Sequence, residues 1–487
     1  MRYKLVSAFL LIIVVLSLFN CAYATPPYQN YTYNDRGTGV EPQAYIYEGL
    51  INGKTLGISN LSSPQDVYVS NDGLIYIADS GNNRIIVIDI NFKVIKIISE
   101  FDNNGKIDKF NNPKGVFVAL DNTLYIADTD NCRIIILDKD GKLLSVFGKP
   151  ETFLISSELQ YKPLKVTANF QKRINVVVAG MTAGLIELEK DGSFMGFYGA
   201  IPVVNDKSDI WRFFQTKEQR ERAALAIPTV YNNLDIDNEG FIYGTINLEG
   251  GAHYPVARLN PSGMDILRRY GRILPCGDPF LWDNETFENK SSNIVDVCAK
   301  EFGMYSLLDA THGRIFTYDY DGNLLYIFGG YGEQAGTFGL PTAIDSIKGD
   351  RFLVVDGKLN QIVVFAPTQY GKLITEATQM QFQRKYVKAG EKWSEVINYT
   401  SKFAVAYVGA GKALLRQKDY SQAMTYFETG KVVNYYSIAF SYFRQELMSK
   451  YFGQTITIVI IFIILLIIIC KILKMRAKRR NIFADKK

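Results

Sequence analysis

Three pairs of Asp and Arg five residues apart, Asp79 with Arg84, Asp128 with Arg133 and Asp309 with Arg314, have a spacing that points to chemistry. Each Asp ends an apolar run and precedes a tight loop, so its carboxylate can accept loop amide protons or pair with the Arg. That chemistry is structural. A second set stands just before the apolar runs that open successive copies of the same pattern: Gln65, Asp66, Lys114, Lys165, Asn232, Asn233, Asp296 and Thr342. Two carboxylates, three amides, two lysines and one hydroxyl suit hydrogen bonding to a polar ligand. They suit a bare cation less well, although calcium, which needs only oxygen ligands, stays possible.

Other chemistry is poorly supplied. The chain holds two His, His253 and His312, in loops of different copies, and no CxxC pair, which nearly excludes a His-rich metal site. No Ser-His-Asp order, phosphate-binding Gly loop or paired-acid motif stands out, so no catalytic residue is assigned and an enzyme is not expected. Of five cysteines, Cys276 and Cys298 are the two that could pair outside a cell.

The elements that must position these residues come from a repeat. PQDVYVSNDGLIYIADSGNNRIIVID, from Pro64 to Asp89, returns forty-nine residues later as PKGVFVALDNTLYIADTDNCRIIILD, from Pro113 to Asp138. Its apolar runs are short, rich in Val, Ile, Tyr and Leu, and separated by Asp-Gly or Asn, which makes them strands. Fainter copies begin near Pro163, at Leu234 with Gly240, at Val297 with Gly303 and Asp309, and at Ile344 with Gly349 and Asp356. A four-stranded unit cannot bury both of its faces alone, so six copies predict six blades around an axis. The segment AYIYEGLINGKTLGIS precedes the first full copy and is expected to complete the last blade, removing an open sheet edge.

These residues resemble the NHL repeat: Pro, an apolar inner strand, a turn Gly, an apolar strand ending Ala-Asp, then Asn, Arg and a closing strand. The resemblance covers roughly residues 45–368 and implies a six-bladed β-propeller. Similar propellers include a zinc-containing lyase and calcium-dependent lactonases, so a calcium-dependent lactonase or hydrolase at the channel is the alternative the resemblance implies.

The two ends predict a location. Arg2 and Lys4 precede an apolar stretch closed by Ala22-Tyr23-Ala24, the pattern of a cleaved signal peptide over residues 1–24. Residues 452–473 include IVIIFIILLIIIC and are long enough to cross a bilayer. Residues 474–487, with Lys471 at the edge of the span, form a basic tail that by the positive-inside rule stays cytoplasmic and puts the propeller outside. The whole-chain charge of +5 comes from these ends, so it is no footprint of a nucleic-acid binder.

Two insertions break the repeat. SDIWRFFQTKEQRERAALAIP reads as a helix, and CGDPFLWDNETFENKSSN reads as a loop of the kind that carries specificity. Residues 372–450 change to helical spacing. AYVGAGKALLRQKDYSQAMTYFETG resembles a tetratricopeptide repeat, with Gly411 at a close helix crossing, Tyr420 and Ala423 opening the second helix and Phe427 filling the gap between the two. YVKAGEKWSEVINY then looks like a shortened copy, Trp393 matching Tyr420 twenty-seven residues away. The combination resembles bacterial surface proteins. It predicts a single-pass, membrane-anchored binding or scaffold protein that takes a glycan, peptide or protein partner outside the cell, with an accessory role beside a membrane protein as a further alternative.

Overall fold

The short Val, Ile, Leu and Tyr runs all form strands in a computed structural model of the chain, which describes residues 26–34, 37–200, 229–248, 254–278, 282–283, 288–289, 291–348 and 351–484. Residues 1–372 and 373–487 make two units. In the first, the inner strands of six sheets are Asp66–Val69, Pro113–Val118, Pro163–Ala168, Val230–Ile236, Ile294–Ala299 and Pro341–Ile347, and each packs beside the next until the sixth meets the first. Among the described residues, five blades are four-stranded antiparallel sheets and the fourth has three strands. The predicted ring of six is present.

Its closure is also as expected. Tyr45–Ile51 pairs antiparallel with Gln361–Pro367, so the outer strand of blade 6 comes from the start of the chain. Thr368 Oγ1 donates to Gln43 O across 325 residues and fastens the same seam. The first turn of each blade needs a residue with positive φ. Gly73 supplies it in blade 1 (φ 88°), and Asn122, which departs from the repeat's Gly, supplies it in blade 2 (φ 63°) because its short side chain tolerates the left-handed region.

The recurring Asp forms a joint within the blades that keep it, blades 1, 2, 5 and 6, whereas Val178 and Asn247 stand in its place in blades 3 and 4. Asp79 is fully buried and accepts from Ser62 N (2.7 Å), Asn82 Nδ2 (2.8 Å) and Arg84 Nε (2.6 Å). Asp128 repeats this with Asn111 N, Asn131 Nδ2 and Arg133 Nε. Both readings of the Asp, amide cap and Arg partner, therefore hold at once. The carboxylate ties the strand it ends to the segment that enters the blade. Blade 6 keeps the cap, Asp356 accepting from Gly339 N (2.7 Å).

Among the described residues blade 4 has no fourth strand, and Asp265, Ile266 and Arg269 cover the edge of Val256–Leu259 instead. Asp265 Oδ1 accepts from Arg258 N (3.1 Å), Ile266 N donates to Arg258 O (2.7 Å), and Arg269 donates to Val256 O (2.7 Å). An open row of amides would invite pairing with another chain, and this edge is closed to it.

The second unit is helical: α1 (Gln369–Phe382), which begins just before the boundary between the units, α2 (Tyr386–Tyr399), α3 (Ala404–Arg416), α4 (Tyr420–Thr429) and α5 (Val433–Ala484). Gly411 does sit at a close crossing, since a Cβ there would come within 2.8 Å of the Phe427 ring, and Phe427 is fully buried between helices. The register of the earlier copy is corrected. Helices α2 and α4 start thirty-four residues apart, at Tyr386 and Tyr420, so Ala389 matches Ala423 and Trp393 matches Phe427, all four buried. There is no deletion. Gly409 then does for Trp393 what Gly411 does for Phe427: its missing Cβ would lie 2.2 Å from the indole. Gly409→Val is expected to destabilise this unit by about 2–3 kcal/mol through overpacking, read as a lower midpoint in urea at an unchanged slope.

The last helix has 52 residues. From Phe452 to Leu473 every residue is exposed, and an 18-residue window within α5 reaches a mean hydropathy of 3.4, so this helix is long and apolar enough to cross a bilayer. The expected signal peptide, the insertion helix of residues 208–228 and His253 lie outside the described residues.

Candidate functional site: the propeller channel

Successive side chains on a strand alternate faces, so residues two apart on an inner strand look the same way. Two stacked rings follow at the axis. The first holds Asp66, Lys165, Asn233 and Asp296, and the second holds Tyr68, Phe117, Thr167, Asp235 and Asp345. Between them the cavity is about 20 Å³, room for one water molecule.

The carboxylates here are already bonded. Asp66 Oδ2 accepts from Val116 N in the next blade (2.8 Å), and Asp296 Oδ2 accepts from Ile344 N (2.7 Å). In the second ring Asp235 Oδ2 takes Ala299 N (2.7 Å) and Asp345 Oδ2 takes Val69 N (2.6 Å). Each acid thus staples its own inner strand to its neighbour's, at four of the six blade junctions. Asp235, Asp296 and Asp345 also accept, through the other oxygen, the N–H of the following residue.

Lys165 is the cation lining the cavity and ion-pairs with Asp66 at 2.5 Å. The Lys165 ammonium offsets charge at Asp66 and Asp296, but burial outweighs it and the amide bonds. Burial pushes Asp296 up to about 8, raises Asp66 and Asp345, and lifts Asp235 well above the carboxylate range. Thr167 Oγ1 is buried without a protein partner in the same cavity.

Of the eight residues read from sequence, Asp66, Lys165, Asn233 and Asp296 line the channel. The other four do not. Lys114, Asn232 and Thr342 are the extra residues of β-bulges at the starts of their strands, and a bulge residue is turned out of the alternation. Gln65 stands at the matching place in blade 1 and is half-buried, with Nε2 donating to Ser63 O (3.4 Å). The second ring was missed, although counting two residues on from Asn233 and from the Ala343 beside Thr342 reaches Asp235 and Asp345.

Cys298 also belongs to the inner strand of blade 5, its Sγ beside Asp345 Oδ1 (3.5 Å) and Ser346 Oγ (3.4 Å). The pairing with Cys276 is not formed. Both thiols are free, because Cys298 turns to blade 6 while Cys276 lies on the segment entering blade 5.

Residues 61–88 match the NHL repeat. No curated protein is a significant match. Among solved structures the chain is similar to a streptogramin B lyase, 12% identical, with 67% of this chain and 100% of that one covered at a TM-score of 0.39. It is similar to virginiamycin B lyase from Staphylococcus aureus at 10% identity, covering 66% and 100%, with a TM-score of 0.39. A protein of unknown function from Bacteroides thetaiotaomicron VPI-5482 is 13% identical, covering 68% and 78%, with a TM-score of 0.42.

The joint seen in blades 1 and 2 recurs at the one group of potential metal ligands among the described residues, Asp278, Asp309 and His312. His312 stands three residues after Asp309, where Asn82 and Asn131 stand after their Asp, and its Nδ1 meets Asp309 Oδ2 at 2.9 Å as those amides do. Asp309 also caps Asn293 N (2.9 Å) and accepts from Ser292 Oγ (2.8 Å). Arg314 departs from the expected pairing. It turns to Asp278, whose carboxylate also accepts from the hydroxyls of Tyr31 and Tyr33 on the hairpin of Tyr31–Asn34 with Gly37–Val40. These oxygens are committed to joining segments.

Proposed function

We propose that this chain is a membrane-anchored extracytoplasmic binding protein whose propeller recognises a protein or glycan partner with one face. The observation that carries this reading is the asymmetry between the two faces. The turns after inner strands and after third strands are short, as at residues 70–74, 119–123, 138–142 and 319–323. The connections between blades leave from the other face and are long, as at residues 99–112, 148–162 and 329–340.

Loops of that length on a rigid ring are where recognition is placed. They also hold apolar side chains in water. Phe153 is 94% exposed, and Tyr331 and Leu340 are exposed on a second connection. The channel offers no such opening, since a cavity for one water admits neither a sugar nor a peptide side chain. The apolar span of α5 supports anchoring, and the basic residues after it support a cytoplasmic C-terminus.

The test is a screen of the full-length protein in nanodiscs against glycans and cell-surface extracts, repeated with Phe153→Asp and Tyr331→Asp together. Loss of about 2 kcal/mol or more of binding, roughly thirtyfold in Kd, is expected from an anchor on the recognition face. Undiminished binding by that variant, with binding abolished by Lys165→Met in the channel, would sink the reading.

A further inference from the structure

The helical unit carries its charge at one end. Residues 373–451 hold eleven Lys and Arg against six Asp and Glu, whereas residues 25–372 hold thirty-three against forty-two. Ring contacts give the helix directions. Phe427 stacks on Tyr435 (5.4 Å) and Tyr420 on Tyr442 (5.5 Å), so α4 runs antiparallel to α5 and begins at the level of Tyr442. The Arg416 guanidinium lies 5.1 Å from the Tyr386 ring, which sets the end of α3 level with the start of α2.

The turns from α1 to α2 and from α3 to α4 therefore share the end of the unit from which α5 departs. Arg384, Lys385 and Lys388 lie on the first turn, and Arg416 and Lys418 on the second, all exposed. On α5 itself, Arg444 and Lys450 are exposed at and beyond the same level. Two acids stand against these seven charges, Glu446 and Asp419, and the Asp419 carboxylate is occupied in accepting Gln422 N (3.1 Å) at the start of α4.

Helix α5 continues unbroken from this end into its apolar span. Ten residues separate Tyr442 from Phe452, about 15 Å of helix. Headgroups occupy roughly 5–7 Å beyond each side of the hydrocarbon core, and Lys and Arg side chains reach about as far from their backbones. The remaining gap is within the screening length of about 8 Å at physiological salt. Val387, Leu447, Met448 and Tyr451 add exposed apolar and aromatic surface on this end and on the turns leading to the bilayer.

We propose that this basic end of the helical unit docks on the anionic headgroups of the bilayer that α5 spans, holding the unit against the lipid surface. The inference rests on the reading of α5 as a membrane span. Charge complementarity selects the occupant: a surface of seven cations, held a few ångströms from a lipid surface by a continuous helix, meets anionic phosphate in cis before any soluble partner.

The experiment is hydrogen exchange of full-length protein in nanodiscs of zwitterionic lipid alone and of zwitterionic lipid with an anionic phospholipid. Amides of residues 383–388 and 416–420 are expected to exchange about tenfold more slowly in the anionic discs, because each nearby Lys or Arg gains on the order of 1 kcal/mol there. The protection should vanish at about 0.5 M salt. It should also vanish in the combined Lys385→Glu, Lys388→Glu, Lys418→Glu variant, whose unchanged circular dichroism would show the fold intact. Inorganic phosphate added to zwitterionic discs should give no protection, which separates a lipid surface from a free anion. Equal exchange in both kinds of disc overturns docking while leaving the span in place. A chain that does not enter discs overturns both. Protection produced by a soluble acidic polypeptide but not by anionic lipid assigns the end to a protein partner and overturns the proposal.

Discussion

Asp79→Ala lowers the melting temperature of the full-length protein by about 6–15 °C, from a loss of about 3–5 kcal/mol. The size follows from what the substitution strands. Ser62 N, Asn82 Nδ2 and Arg84 Nε all donate to this one fully buried carboxylate, and the Arg84 side chain is 11% exposed. Removing the acceptor leaves a cation nearly out of water with no counter-charge. Arg84→Ala should cost less, about 1–2 kcal/mol, because Asp79 keeps its amide donors. Equal effects of the two substitutions, measured by thermal unfolding, would mean that the ion pair alone matters and that the cap is idle.

The second large effect is on pH. Burial holds the Asp296 carboxyl at about 8, far above its unfolded value of 3.8, and raises Asp66, Asp235 and Asp345 as well. Between these limits the folded chain binds more protons than the unfolded chain, so its stability falls as pH rises. The contribution is fully present below about pH 4 and lost as pH climbs through about 8, and it should amount to a few kcal/mol across that window. The melting temperature is therefore expected to be higher at pH 5.5 than at pH 8.5, with Asp296→Asn flattening the difference. A profile that rises toward pH 8.5 would contradict the burial of these acids.

Much of this architecture is legible without coordinates. Proline, turn Gly and Asp recur at intervals that place the inner strands, and the continuous apolar runs such as IYIAD and RIIVI mark strands buried on both faces. The channel is half legible. Asp66, Lys165, Asn233 and Asp296 follow from position alone, but Lys114, Asn232 and Thr342 are diverted by bulges, and a bulge leaves no signal in an isolated strand because it is a property of the pairing. Arg314 likewise changes partner because Asp278 arrives from an insertion with no counterpart in the repeat. In the helices, matching aromatic to aromatic set Trp393 against Tyr420. The small residues Ala389 and Ala423, which decide how closely helices approach, carry the thirty-four-residue register instead.

The seam in blade 6 has a consequence for how the protein is made. Tyr45–Ile51 is among the first segments of the propeller to be synthesised, and its partner Gln361–Pro367 is the last. Closing a loop of this length carries an entropic cost of about 5 kcal/mol and must precede the contacts that reward it. A nascent chain would expose blade 1 with an unmatched flank until some three hundred further residues had followed, the interval in which strand edges aggregate. The ring is therefore completed in one late step, once Gln361–Pro367 has been made, and only the helices that follow remain to be added.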